Sequence, residues 1–215
     1  MNLNDSMETF SHVDSKGIPF DHKLDQEVFL GKENGFFIEL GAFNGITQSN
    51  TAFLEKYRNW TGVLVEPSKN QYNLCVKNRP NSKCFNELCS DVSGKDVYFD
   101  HREHLMSKVS NSGHYKTKTR TLESILDESN IGEQIDFLSL DVEGYEMNIL
   151  NGLNIKKYRP SYMLIELWDS NKEEVIDFLK QNGYNLECNF SNYNTKDNPY
   201  WSKNHNDFLF YLLHM

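Results

Sequence analysis

One pattern constrains the fold of this chain more than any other. A short apolar run recurs four times and carries an acid at or near its end: FFIEL from Phe36, GVLVE from Gly62, IDFLSLDVEG from Ile135 and SYMLIELWD from Ser161. The runs are rich in Phe, Ile, Leu and Val with little polar alternation, the signature of strands buried on both faces of a mainly parallel sheet. Between and after them, SNTAFLEKY, QYNLCVKN, TLESILDES, YEMNILNGL and NKEEVIDFLKQNG show helical spacing. Ser68 stands at an N-cap position, Pro80 forces a stop, and Gly183 stands at a C-cap. Alternating strands and helices predict an α/β domain with helices on both sheet faces. KCFNELCSD reads as a third strand. YNLECNF and DFLFYLLH follow with no helix between them, which predicts an antiparallel hairpin at the sheet edge.

The remaining segments are less regular. Residues 1–34 are polar with scattered apolar positions and are expected to cap a core formed by residues 35–215, the whole chain 1–215 making a single domain. Within that cap, DQEVFLGKENG predicts a short helix closed by Gly35. VYFDHREHLMSKVSNSGHYKTKT predicts a strand edge at VYF and then an irregular loop over 100–118, long enough to act as a cover.

Composition excludes several classes. A formal net charge of −9 provides no basic stripe for a phosphate backbone, so nucleic acid is not the expected partner. Cys75, Cys84, Cys89 and Cys188 form no CxxC pair, so neither a zinc framework nor a disulfide scaffold is expected, and the thiols read as those of a reduced cytoplasmic protein. The N-terminal MNLNDSMETF has no apolar signal core, and the longest apolar run near the C-terminus is FLFYLL. No membrane span is expected.

Ligands of such sheets bind at the carboxyl ends of the strands. Glu39, Glu66, Asp141 with Glu143, and Glu166 therefore gather along one sheet edge. One such acid is usually a solvated or salt-bridged strand end; four together point to a ligand. A dinucleotide fingerprint requires G-x-G-x-x-G, whereas here Phe43 occupies the second glycine position between Gly41 and Gly45. A bulky side chain and an upstream carboxylate oppose a pyrophosphate and disfavour an NAD-dependent dehydrogenase. A cationic, phosphate-free nucleoside fits better. S-adenosylmethionine carries a sulfonium and an ammonium for carboxylates to face, and a ribose whose hydroxyls suit Glu66, 25 residues after Gly41.

FFIELGAFNGITQSNTAFLEKYRNWTGVLVEP together with IDFLSLDVEGYEMNILNGL resembles the FkbM family of S-adenosylmethionine-dependent methyltransferases over about residues 35–167. The resemblance implies a class I methyltransferase sheet, Rossmann-like, of seven strands with an antiparallel last strand. It implies cofactor contacts at Glu39, Gly41, Ala42, Gly45 and Glu66, with Ser90 and Asp91 near the adenine. Phe43 and Asn44 stand where the family more often has Asn and Asp. FkbM-type domains methylate sugar and polyketide hydroxyls and occur fused to glycosyltransferases, which makes this chain a candidate module of a larger glycan-synthesis protein.

Methyl transfer from a sulfonium needs an aligned acceptor and a group to take its proton. Asp141 is the first choice for that base, with a contact to the cofactor as its alternative role. Glu143 is a second catalytic candidate that could instead cap the helix beginning near Tyr145. His114, in the polar loop with His101 and His104, and Glu166 are the other candidates. Trp168 and Trp201 could stack on a sugar, while Trp60 suits the core. The expected reaction is O-methylation of a sugar or glycan hydroxyl, such as that of a deoxyhexose. The alternatives are a polyketide or other small-molecule acceptor, or a non-catalytic nucleotide-binding module.

Overall fold

The computed structural model describes residues 7–100, 108–110, 115–132, 134–197, 201 and 204–213. Eleven strands are seen among them: β1 (Phe36–Leu40), β2 (Thr61–Val65), β3 (Lys83–Phe85), β4 (Leu88–Cys89), β5 (Asp96–Asp100), β6 (Lys108–Ser110), β7 (Tyr115–Arg120), β8 (Gln134–Leu140), β9 (Arg159–Trp168), β10 (Tyr184–Asn189) and β11 (His205–Leu212). The helices are α1 (Phe20–Lys23), α2 (Ala52–Arg58), α3 (Lys69–Asn78), α4 (Leu122–Ser129), α5 (Glu146–Asn151) and α6 (Lys172–Gln181). No helix among the described residues is long and apolar enough to cross a membrane.

Seven strands form the main sheet in the order β10-β11-β9-β8-β1-β2-β3. β3, β2, β1, β8 and β9 run parallel, and β11 is antiparallel to both β9 and β10. The expected terminal hairpin is therefore present, but its second strand is internal: β11 inserts beside β9 and leaves β10 at the edge. Burial explains the choice, since Phe208, Leu209 and Phe210 of β11 are buried whereas β10 is exposed from Glu187 to Asn189.

Strand parity sends alternate side chains to two cores. Ile38, Leu40, Val63 and Val65 face Leu122, Ile125 and Leu126 of α4, Ile149 and Leu150 of α5, and Val175 and Leu179 of α6. Phe37 and Leu64 face Phe53 and Leu54 of α2, Cys75 of α3, and Phe10, Phe20, Leu24 and Phe29 of the N-terminal segment. That segment covers the second face by apolar burial. Its helical part is α1 followed by one π-helical turn at Leu24–Val28, and it ends at Gly31 rather than Gly35, the Gly31 N–H donating to the Asp25 carbonyl at 2.8 Å.

The polar stretch expected as a loop over 100–118 is partly a second sheet, of order β4-β7-β5-β6. β7 pairs antiparallel with β5, and Lys116 and Asp96 form an exposed ion pair across them at 2.9 Å. The expected third strand is broken between Phe85 and Leu88: β3 joins the main sheet and β4 the second.

Candidate active site

The site lies where β1, β2, β8 and β9 end. Gly41 turns the chain at φ +80°, and a Cβ there would stand 2.0 Å from the Asp141 carbonyl oxygen, so the first turn and the Asp141 turn are in backbone contact. The Gly41 and Ala42 amides both donate to the Val65 carbonyl (3.2 and 3.3 Å), and the Gly45 amide closes the turn on Ala42 (2.7 Å). Phe43 takes a left-handed φ of +47°, the conformation a glycine would adopt freely. In that conformation its N–H donates to Glu66 Oε2 at 2.9 Å. The Ser68 amide donates to Oε1 at 2.7 Å. Ser68 occupies the N-cap position of α3 without a side-chain cap, so its contribution there is this amide. Each oxygen of Glu66 keeps acceptor capacity for a further donor. Burial raises the Glu66 carboxyl to about 7.

Glu39 points to the opposite sheet face from Leu40 and is filled by the protein. It accepts from Ser49 Oγ (2.9 Å to Oε2), the Asn50 amide (2.9 Å) and Thr51 Oγ1 (2.6 Å), and lies 3.5 Å from Arg79. Arg79, 2% exposed, is the hub of this face. It donates to Glu55 (2.8 Å), the Gly45 carbonyl (3.0 Å), Ser49 (3.1 Å) and Thr51 (2.9 Å). Sequence reasoning missed it because its partners, from Glu55 back to Glu39, are 24 to 40 residues away in the chain and follow no local spacing. The buried acid at Glu39 was the signal, since it demanded a cation.

Asp141, Glu143 and Glu166 come together, each offering an oxygen within 4.8 Å of the other two, an arrangement that can face an organic cation or ligate a metal ion. Burial, then Asp207 and Glu143, hold the Asp141 carboxyl well above its ordinary range. Glu166 is raised to about 10 by burial and by Asp141, and Asp207 to about 7 by burial. Glu143 sits in the left-handed region at φ +58°. Glu146 binds the turn, accepting from the Gly144 amide at 2.9 Å and Asn171 at 2.7 Å. Ser90 is drawn to the same turn, its hydroxyl 3.1 Å from the Tyr145 hydroxyl and 2.8 Å from Asp91. His114, like His101 and His104, lies outside the described residues.

Aromatic rings stand beside the acids. Trp168 Nε1 donates to Glu166 at 3.2 Å, and its ring centroid is 5.3 Å from that of His205. His205 Nε2 lies 3.6 Å from the other Glu166 oxygen. Trp201 and Tyr193 each lie 6.4 Å from the His205 ring. Burial lowers the His205 pKa, leaving the imidazole neutral near pH 7. Trp60 is a core residue, as expected, with Nε1 donating to the Lys32 carbonyl at 2.7 Å.

The methyltransferase FkbM domain model matches residues 39–186, which span the glycine turn, Glu66 and the Asp141 cluster. The chain belongs to the FkbM methyltransferase family. Members use S-adenosylmethionine, so this FkbM protein is a methyltransferase with that cofactor. Its acid-rich edge and the spare acceptors of Glu66 fit a cationic nucleoside. Solved structures share the fold. A precorrin-6y C5,15-methyltransferase from Geobacter metallireducens aligns with TM-score 0.53 at 11% identity, over 98% of this chain and 96% of its own. A TehB-like SAM-dependent methyltransferase from Corynebacterium glutamicum aligns with TM-score 0.52 at 8% identity, over 90% and 87%. A SAM-dependent methyltransferase from Geobacter sulfurreducens, solved with S-adenosyl-L-homocysteine, gives 0.50 at 8% identity, over 98% and 95%. No curated protein matches the sequence.

Proposed function

We propose that this FkbM protein methylates a hydroxyl of a sugar or glycan, a deoxyhexose being the best candidate, with Asp141 taking the acceptor proton. The observation carrying this reading is that Trp168 and His205 both contact Glu166, a member of the cluster with Asp141 and Glu143, and that the Trp201 ring lies 6.4 Å from that of His205. An aromatic face that packs the apolar side of a sugar ring, next to carboxylates that accept from its hydroxyls, is the chemistry a carbohydrate requires.

The Gly41–Gly45 turn, Ala42 and Glu66 would hold the nucleoside end of the cofactor, with Ser90 and Asp91 along its adenine side. Glu39 would act through the turn, fixing Ser49 to Thr51 and Arg79. When bound, S-adenosylmethionine supplies a methyl carbon activated by a sulfonium. The protein's own task is to align the hydroxyl and accept its proton as the C–O bond forms, because a sugar hydroxyl does not ionise at neutral pH. A carboxyl held above its ordinary range is a stronger base once ionised, and a nearby cation favours that ionised form. Glu166, bonded to Trp168, would orient the acceptor.

The test is incubation with methyl-labelled donor and a panel of deoxyhexose glycosides, nucleotide-sugars, polyketides and peptides. Label on a sugar hydroxyl, lost in Trp201→Ala through a raised acceptor KM with donor affinity retained, is expected. Label only on polyketide or peptide would overturn the carbohydrate assignment.

A further inference from the structure

The cofactor turn rests on a pair of thiols. Cys75, near the end of α3, is buried, and Cys84, in β3, is half-buried; their Sγ atoms are 3.6 Å apart. The same helix end carries the Gly45 turn. A Cβ at Gly45 would lie 3.0 Å from Cys75 Sγ and 2.7 Å from Arg79 Cγ. The Arg79 amide donates to the Cys75 carbonyl at 2.9 Å, and its guanidinium holds the Gly45 carbonyl at 3.0 Å. A shift of Cys75 thus reaches the turn twice, by direct contact and through Arg79.

A disulfide requires the two sulfurs to approach to about 2.05 Å, so closure needs roughly 1.5 Å of movement. β3, the edge strand of the main sheet, is tied to β2 by parallel pairing in which Cys84 is in register with Leu64. α3 is a surface helix with Leu74 and Val76 exposed, and it can yield more readily.

We propose that Cys75 and Cys84 form a disulfide-forming oxidation site whose closure displaces the end of α3 and weakens donor binding. Cys84 is the thiol nearer solvent, and its pKa is lowered by the hydrogen bond from Cys75, with Arg79 acting in the same direction against burial. With a peroxide as oxidant, the Cys84 thiolate attacks one peroxide oxygen and breaks the O–O bond, giving a sulfenic acid and hydroxide, which takes up a proton. The Cys75 sulfur then attacks the sulfenic sulfur, forming the S–S bond. Hydroxide leaves with the Cys75 proton as a second water. Two thiols lose two electrons and one peroxide is reduced to two waters.

This inference rests on the Gly41–Gly45 turn holding the donor, so reduced protein is measured first. Absence of any S-adenosylhomocysteine binding there would refute that placement of the donor, whatever the thiols do. The reduced protein is then treated with hydrogen peroxide, mapped by peptide mass, and titrated with S-adenosylhomocysteine before and after addition of a reductant. The expected result is a Cys75–Cys84 linkage, an affinity about tenfold weaker through loss of one charge-assisted contact, recovery on reduction, and no peroxide effect in Cys84→Ser. Oxidation of exposed Cys188 with Cys75 and Cys84 still free would overturn the site. A mapped linkage with unchanged affinity would overturn its coupling to the donor.

Discussion

Donor affinity should depend on pH through Glu66. The carboxyl is buried at the end of β2, receives one backbone amide on each oxygen, and titrates at about 7 because burial outweighs those two bonds. In the proposed placement of the donor, Glu66 accepts two ribose hydroxyls, which favours the ionised form, so the donor would select the deprotonated protein. For one such group the apparent dissociation constant scales inversely with the deprotonated fraction of the free protein. Lowering the pH from 8 to 6 should therefore weaken S-adenosylhomocysteine binding about tenfold, most of it below pH 7. The assay is isothermal calorimetry at pH 6, 7 and 8, performed in parallel on Glu66→Gln, whose amide does not titrate. Dividing the two sets of constants removes any titration of the ligand itself and of the Asp141 cluster. A wild-type to Glu66→Gln ratio that stays constant across this range would refute the reasoning, as would an unchanged affinity in Glu66→Ala.

Asp141→Asn should lower turnover roughly 100- to 10,000-fold while donor affinity is retained, as expected for loss of a base; near-normal turnover would move the role to Glu166 or His205. Arg79→Met removes the cation from a buried set containing Glu39 and Glu55 and should cost about 3–5 kcal/mol, read as a Tm drop on the order of 10 °C by calorimetry. Gly41→Ala puts a Cβ 2.0 Å from the Asp141 carbonyl at φ +80°, so donor affinity should fall by more than about tenfold with a lower Tm; wild-type values for both would contradict the backbone contact. Glu66 and Asp207 both titrate at about 7 in the fold, above their ordinary values of 4.5 and 3.8. The native state therefore keeps protons that the unfolded chain has released, and Tm of the free protein should fall as pH rises from 5 to 8. A rising Tm over that interval would show that these carboxyls are ionised in the native state.

The main sheet was legible because its strands are buried on both faces: FFIEL and GVLVE have no solvent side to confuse with a loop. The acids at their ends were legible for the same reason, since a carboxylate in such a run needs a partner. The second sheet was not. In β7, Lys116 and Lys118 alternate with threonines on a surface strand, and their pairing partner Asp96 lies across β5, so no apolar period marks it. The order of the last two strands was hidden as well, because a hairpin has the same sequence whichever strand is internal. Phe43 was legible as a bulky residue at a glycine position. Its left-handed backbone is set by the Glu66 contact, which no local pattern reports. Glu146 opens α5 and binds the Gly144 amide of the turn before it, a contact that no local spacing reports.

The position of β11 governs the order in which the molecule can be completed during synthesis. β9 and β10 are not paired with each other in the sheet; each waits for a strand that emerges from the ribosome after both, and it must run antiparallel between them. Until then β9 presents an open hydrogen-bonding edge ending at Glu166 and Trp168, next to Asp141 and Glu143. His205 and Asp207 arrive with the same strand. The half with the glycine turn, built from β1, β2 and α3, can therefore assemble early from contacts local in sequence, while the half with Glu166 and Trp168 closes only with the last long-range pairing, the slow kind. A nascent chain halted before His205 should bind nucleoside without turnover and expose a strand edge to chaperones.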